Sequence, residues 1–585
     1  MKHIFLCIFL SVGIVLPFFI TAQSISLTDL ESDIYRDLER WEAGAYLASL
    51  PKIQPYAHGI VTERLREMLA RNDLPETARK QARDYLDRLI GSETKETFRK
   101  GPAISFTALP TARLTEEGTH TNLIIRPGVH WLLSDSDSAR LWLETLPQIS
   151  LLLDSQNSTA LPAGERETED WFAVGDASIP LFDSLLYPVG FLDSIVSFSS
   201  SDERSTFSFS VGIHRANAGP FYDDGILISS QAPAAGHFIL GYEHFLGSNN
   251  NFTSRIMFTS QFSALVASDD EGRGVYSEKF LAYHSIYADL LPWFGFGFIE
   301  TIIWGGRIEP LYLIPLPGIL QFSQGISGYG DNGLLGIELL FRPVESLRIP
   351  LVIFIDDIGA DDIYRFEFDT KYKFAAEGGV SWSPLLPWLD QITADYTAVM
   401  PYMYTHWDER PQNFGSGNER GGEANVNYSN YTHKGTNIGP GLEPNSDRWR
   451  LNWSARPFAG ELPDWFHTLR LGAGIQLIRH GNASAGIIQG SAGDLFDPGY
   501  IGSTPTFQAP YEDPTGQPYT RFLTQSLIEH NLQFTIDIHA AFLISPDLRI
   551  DLGIGYTHEE VWNAELIEDA RKSANYLNIL LGLSI

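Results

Sequence analysis

Tyr402, Tyr404, His406, Trp407, Tyr428, Tyr431 and His433 crowd into residues 401–447, interleaved with Asp, Asn and Arg. Aromatic faces pack against the C–H surfaces of sugars, and planar amide and guanidinium groups bind sugar hydroxyls. The same residue types also build the aromatic girdle of a membrane barrel and fold a loop onto itself, so composition alone leaves both readings open. Catalytic spacings are not found: the chain has no G-x-S-x-G, no H-E-x-x-H and no P-loop. The acidic run Asp269-Asp270-Glu271 lacks the ligand spacing of a calcium loop and reads as an exposed loop tip, and the second cluster, Asp356-Asp357 with Asp361-Asp362, reads as a solvated loop ahead of a site for divalent ions shared with lipopolysaccharide. We therefore expect no metal, no cofactor and no enzymatic activity.

The elements that must carry such loops are strands. Phe207, Phe209, Val211 and Ile213 alternate with Thr206, Ser208, Ser210 and Gly212; Leu532, Phe534, Ile536 and Ile538 alternate with Asn531, Gln533, Thr535 and Asp537. Similar alternation runs through Tyr364–Phe374, Trp449–Ala455 and Leu548–Tyr556. Between Phe294 and Trp304 the even positions are apolar, with Glu300 interrupting the parity once. Period-two alternation predicts strands with one apolar and one polar face, which fits a soluble sheet as well as a barrel with a wet lumen.

The connections separate these cases. From residue 205 onward, short links near 247–251, 291–293, 343–347, 385–390, 457–465 and 544–546 alternate with long ones near 216–235, 267–279, 305–333, 356–362, 403–447, 481–522 and 559–574. That rhythm predicts an all-β fold, a transmembrane antiparallel up-and-down β-barrel of about 16–18 strands with short periplasmic turns and long external loops. A Greek-key sandwich would not keep it. The final run, with Leu577, Ile579, Leu581, Leu583 and Ile585 on one face, suits a closing strand read by the barrel-assembly machinery.

Residues 1–22 read as a signal peptide: Lys2 and His3, an apolar run from Ile4 to Ile20, then small residues. Cys7, the only cysteine, lies inside that run, so the mature chain uses no disulfide. Residues 23–100 have helical spacing at Leu30, Ile34, Leu38 and Trp41 and again at Leu65, Leu69, Tyr85 and Leu89, broken at Asp73-Leu74-Pro75. They predict a small helical periplasmic segment ahead of a barrel at 101–585. The net charge of −31 argues against nucleic acid.

Several passages resemble the Wzi family of outer-membrane capsule-assembly proteins. They are IYRDLERWEAGAYLASLPKIQPY with RLREML, GPFYDDGILISSQAPAAG, FLAYHSIYADLLPWFGFGFIETIIWGGRIEPLYLIPL with DNGLLGIELLFRPVESL, and ADYTAVMPYMYTH with NYTHKGTNIGPGLEPNSD. They occur in the family's order and span most of the mature chain. The likeness departs at Leu313-Ile314-Pro315, where Asn would be expected before the Pro. The resemblance implies a monomeric barrel of about eighteen strands that acts as a lectin, attaching or organising capsular or other surface polysaccharide at the cell outer membrane. Its partners would be that polysaccharide, outer-membrane lipid and a lipopolysaccharide-like glycolipid. The alternative is a porin for small solutes, suggested by charged lumenal candidates such as Arg448, Arg450 and Arg456. From chemistry and loop placement we nominate Arg307, Tyr312, Tyr404, His406, Trp407, Tyr431 and His433 as glycan-binding residues.

Overall fold

The computed structural model describes residues 25–30, 32–90, 103–115, 118–136, 139–154, 172–173, 179–181, 184–221, 224–249, 252–266, 279–327, 331–358, 372–384, 386, 388–401, 403–404, 428–434, 436–458, 462–463, 465–481, 522–523, 527–545 and 548–584. The signal-peptide reading, the acidic tips at 269–271 and 361–362, Tyr402, His406 and Trp407 lie outside these residues.

Among the described residues, eighteen long strands form one closed antiparallel barrel. They are β1 Ala103–Thr115, β2 Gly118–Asp135, β3 Ala139–Asp154, β4 Ser184–Ser201, β5 Ser205–His214, β6 Ala235–Asn249, β7 Phe252–Leu265, β8 Lys279–Leu291 and β9 Phe294–Gly305. Then come β10 Asn332–Phe341, β11 Leu347–Ile358, β12 Tyr372–Trp382, β13 Gln391–Val399, β14 Ser446–Ala455, β15 Phe466–Gly481, β16 Ile528–Ser545, β17 Leu548–Trp562 and β18 Arg571–Ser584. Each strand pairs with its sequence neighbours, and β18 closes the ring on β1 through pairs such as Thr107 with Ser584 and Leu114 with Leu577. Short links join β2 to β3, β4 to β5, β6 to β7, β8 to β9, β10 to β11, β12 to β13, β14 to β15 and β16 to β17 at one end. Most links at the other end are long, and the tight turn between β1 and β2 is the exception.

The polarity of the wall is inverted relative to a soluble sheet. On β5, Phe207, Val211 and Ile213 are exposed while Thr206, Ser210 and His214 are buried. On β10, Ile337 is 43% exposed and its neighbour Glu338 1%. Phe534, Ile536 and Ile538 on β16 and Ile554 on β17 continue the outward apolar set. A closed sheet, greasy outside and polar inside, leaves no unpaired edge and suits hydrocarbon as its surroundings. Among the described residues no helix is long and apolar enough to cross a membrane.

Three helices fill the short-turn end: α1 Asp33–Ala43, α2 His58–Leu69 and α3 Glu76–Ile90. Ile34, Leu38 and Trp41 of α1 and Ala78, Ala82, Tyr85 and Leu89 of α3 recur at helical spacing and share one core with Val61, Leu65 and Met68 of α2. The outer faces of these helices are tied to the barrel by ions. Arg456, just past β14, binds Asp37, which also pairs with Arg40 at 2.9 Å and accepts from the Tyr85 hydroxyl at 2.7 Å. Burial alone would raise the Asp37 pKa, but Arg456 and Arg40 overcome it and hold the carboxyl below its ordinary range. Arg64 of α2 donates to Glu243 of β6 at 2.6 Å, and His58 stacks on Trp142 of β3 at 4.2 Å. The helices therefore sit in the barrel mouth, and the charges that make them look soluble face the polar lumen.

Candidate functional site

Two of the long connections at the other end turn inward over their described residues. Residues 215–221 and 224–234 descend into the lumen, where Asn217 and Ala218 pair antiparallel with Gln54 and Ile53 of the segment between α1 and α2. Material entering from both ends thus meets inside the barrel. Asp224 holds the descending loop in place. Its carboxylate binds Arg448 of β14 and accepts from Ser229 Oγ at 2.7 Å and from the Gly441 amide at 2.8 Å.

Residues 428–445 lie over that loop. The hydroxyls of Tyr404 and Tyr431 donate to the carbonyl oxygens of Ile226 and Leu227, each at 2.8 Å, and the two rings sit 5.5 Å apart. Burial pushes both phenols well above their ordinary pKa. His433 Nε2 donates to Ala234 O at 2.9 Å, and its Nδ1 accepts from the Val266 amide at 2.9 Å. These two bonds require the neutral ring, and burial pushes its pKa down to about 4. Lys279 of β8 donates to Thr432 Oγ1 at 3.0 Å and anchors the same hairpin.

The nominated residues therefore separate. Tyr404, Tyr431 and His433 come together, but as buried struts beneath the loop surface. Arg307 and Tyr312 lie elsewhere, on the connection between β9 and β10. There Arg307 donates to Asp331 Oδ1 at 3.1 Å, and the Tyr312 hydroxyl donates to Asp331 Oδ2 at 2.8 Å. Tyr312 packs edge-on against Trp304, 4.9 Å away, on the outer face of β9.

The free space lies along the opposite wall. One cavity of about 570 Å³ is lined by Arg36, Arg40, Asp390, Asn452, Arg470 and Asp537 among others. A second, of about 370 Å³, reaches Phe221, Ser230 and Gln231 of the descending loop and Asp395 of β13. Arg36, Gln391, Thr393 and Asn452 line both. Lumenal glycines make the room: a Cβ on Gly472 would lie 2.1 Å from Asp537 Oδ1, and one on Gly474 would lie 2.6 Å from Asn452 Oδ1. The lining offers guanidinium, amide, hydroxyl and carboxylate groups with aromatic side chains, Trp453 in the first cavity and Tyr35 and Phe221 in the second, a set suited to a polyhydroxylated ligand. Sequence reasoning did not single out Phe221, Asn452 or Asp537 as site residues. The signal available for the latter two was their place on the polar parity of their strands. Among the described residues no group of three or more His, Cys, Asp or Glu side chains is arranged to hold a metal ion.

Among solved structures, the chain is similar to Wzi, an outer-membrane protein involved in group 1 capsule assembly in Escherichia coli and described as a carbohydrate-binding β-barrel. The identity is 10%, the TM-score 0.49, and the match covers 95% of this chain and 98% of that one. It is also similar to the outer membrane protein OprD from Pseudomonas aeruginosa, at 7% identity and a TM-score of 0.41, over 83% of this chain and 95% of that one. OpdK of Pseudomonas aeruginosa, solved with vanillate, matches at 9% identity and a TM-score of 0.39, over 83% and 98%. No protein-family model and no curated protein matches the sequence. The chain is an outer-membrane β-barrel. Its own closed sheet and apolar exterior carry that statement.

Proposed function

We propose that this barrel binds a capsular or other surface polysaccharide at its loop end and attaches or organises it at the cell surface, without chemistry on the polymer. The observation that carries the reading is the pairing of inward-folded external loops with a polar cavity edged by Phe221. The strings that resemble the Wzi family point the same way. In this reading Trp407 and His406, in the sequence between Tyr404 and Tyr431, contact the glycan, while Tyr404, Tyr431 and His433 brace the descending loop. Arg307 and Tyr312 fix the base of a neighbouring loop.

The test is surface glycan in cells lacking the chain, with the cell-bound fraction separated from the released one. Polymer made normally but shed into the medium supports attachment, and restoration by the wild type but not by Trp407→Ala places the contact on this loop. Unchanged retention in Trp407→Ala would overturn the loop assignment.

A second reading, a channel for small solutes, is favoured by one observation. The two cavities share lining residues and reach from Arg40 and Asp390 near the short turns to Phe221 and Gln231 of the external loop. Single-channel conductance in planar bilayers, together with normal glycan retention, would select it.

A further inference from the structure

The connection between β9 and β10 behaves unlike the other described loops, because it folds down the outside of the barrel. It contains the helix α4, Ile319–Ser327. Leu320 of α4 is fully buried against Ala282 of β8 and Ile302 and Trp304 of β9, with Tyr312 in the same cluster. These strand residues lie on the outward parity. Their neighbours Leu281, Tyr283, Ile299 and Ile303 point the other way, into the core formed with the lumenal loops. Beside the cluster, His284 Nδ1 and Glu300 Oε1 are 3.0 Å apart, on the lipid-side face and yet buried.

The free side of α4 is apolar. Phe322 is 76% and Ile326 77% exposed, and Ile308, earlier in the same connection, is 75% exposed. They are the most exposed large apolar side chains among the described residues. Water on that side would favour polar residues. The face is continuous with the outward apolar band of the barrel, and Ile302 lies three residues inside the end of β9, about 10 Å along the strand. Interfacial helices bury their apolar faces about 5–10 Å into the boundary between headgroups and acyl chains. We infer that α4 is an interfacial helix seated in the outer leaflet, with Phe322 and Ile326 among lipid acyl chains. Its underside keeps hydrocarbon off the strand face beside His284 and Glu300, and it pins the Arg307–Asp331 loop base at the membrane surface.

The inference rests on the membrane placement of the barrel, so the experiment tests both. The full chain carrying Cys7→Ser is refolded into phosphatidylcholine vesicles with a fluorophore on one introduced cysteine: Phe322→Cys, Phe238→Cys on the outward face of β6, or Glu568→Cys on an exposed loop. Acyl-chain-brominated lipid and aqueous iodide serve as quenchers. We expect the label at 322 to follow the one at 238, quenched by bromine and shielded from iodide, while the label at 568 does the reverse. Quenching at 322 by iodide would make α4 an aqueous loop and overturn the inference. Quenching by neither would mean that protein, a second copy included, covers the helix, and would overturn it as well. Loss of bromine quenching at 238 would instead remove the membrane placement itself.

Discussion

Lys52 and Glu338 meet inside the barrel at 2.9 Å, the first from the segment between α1 and α2 and the second from the lumenal face of β10. Both side chains are buried, and the Lys52 ammonium also lies 3.9 Å from the centre of the Tyr287 ring. The pair fastens the N-terminal segment where it meets the descending external loop. Replacing Lys52 by Met strands a buried carboxylate and should cost about 3–5 kcal/mol, whereas the double replacement Lys52→Met with Glu338→Met should cost far less. Resistance of the helical segment to trypsin in the refolded barrel reads this out. Equal release in the single and double variants would contradict it.

The hairpin at Thr432–Asn437 should be sensitive to acid. The folded-state pKa of His433 is about 4, below its ordinary value near 6.5, because the buried ring is held neutral. The unfolded segment therefore takes up a proton first as pH falls. Stability from this group is complete above about 6.5 and declines from there towards pH 4, by up to about 3 kcal/mol. Brief openings in planar bilayers should become more frequent over that window. His433→Gln should flatten the dependence, and an unchanged pH profile in that variant would count against it.

Tyr404 and Tyr431 act through both hydroxyl and ring. Phe at either position removes one hydrogen bond to the Ile226–Leu227 backbone and should cost about 1 kcal/mol, while Ala empties a buried site and should cost about 3–5 kcal/mol. Hydrogen exchange of residues 224–232 should rise slightly in the Phe variants and strongly in the Ala variants.

On the outer wall, removing one member of the His284–Glu300 pair leaves the other buried without its partner. Glu300→Leu alone should lower the denaturant midpoint of the barrel. His284→Phe combined with Glu300→Leu should recover most of the loss, because apolar side chains suit that face. A double variant weaker than both singles would show that the pair has a role beyond local satisfaction.

Much of the architecture was legible because it is written at short range. Alternation at Phe207–Ile213 and Leu532–Ile538 needs only neighbouring residues, and the short links expected near 291–293 and 343–347 fall between β8 and β9 and between β10 and β11. Helical spacing at Ile34, Leu38 and Trp41 was equally local. The expected strand Tyr364–Phe374 is described only from Tyr372, where β12 begins. The helix α4 was not anticipated. Its nine residues follow Pro315 and Pro317 and include Gly325, a weak helical signal inside what reads as a long loop. Glu300 read as a lapse in parity, and its cross-strand partner His284, 3.0 Å away, accounts for a carboxylate on the outward face of β9.

By itself, then, the sequence determined a barrel, its rhythm of turns and loops and the helical character of its N-terminal segment, since period and connection length are properties of adjacent residues. Tertiary structure decided which face of each strand meets lipid, that the charged helices enter the lumen, and that Tyr404, Tyr431 and His433 brace a plug while Phe221, Asn452 and Asp537 edge the free space. Those outcomes depend on partners such as Asp37 and Arg456, or Asp224 and Arg448, which are hundreds of residues apart along the chain and become neighbours only when the ring closes.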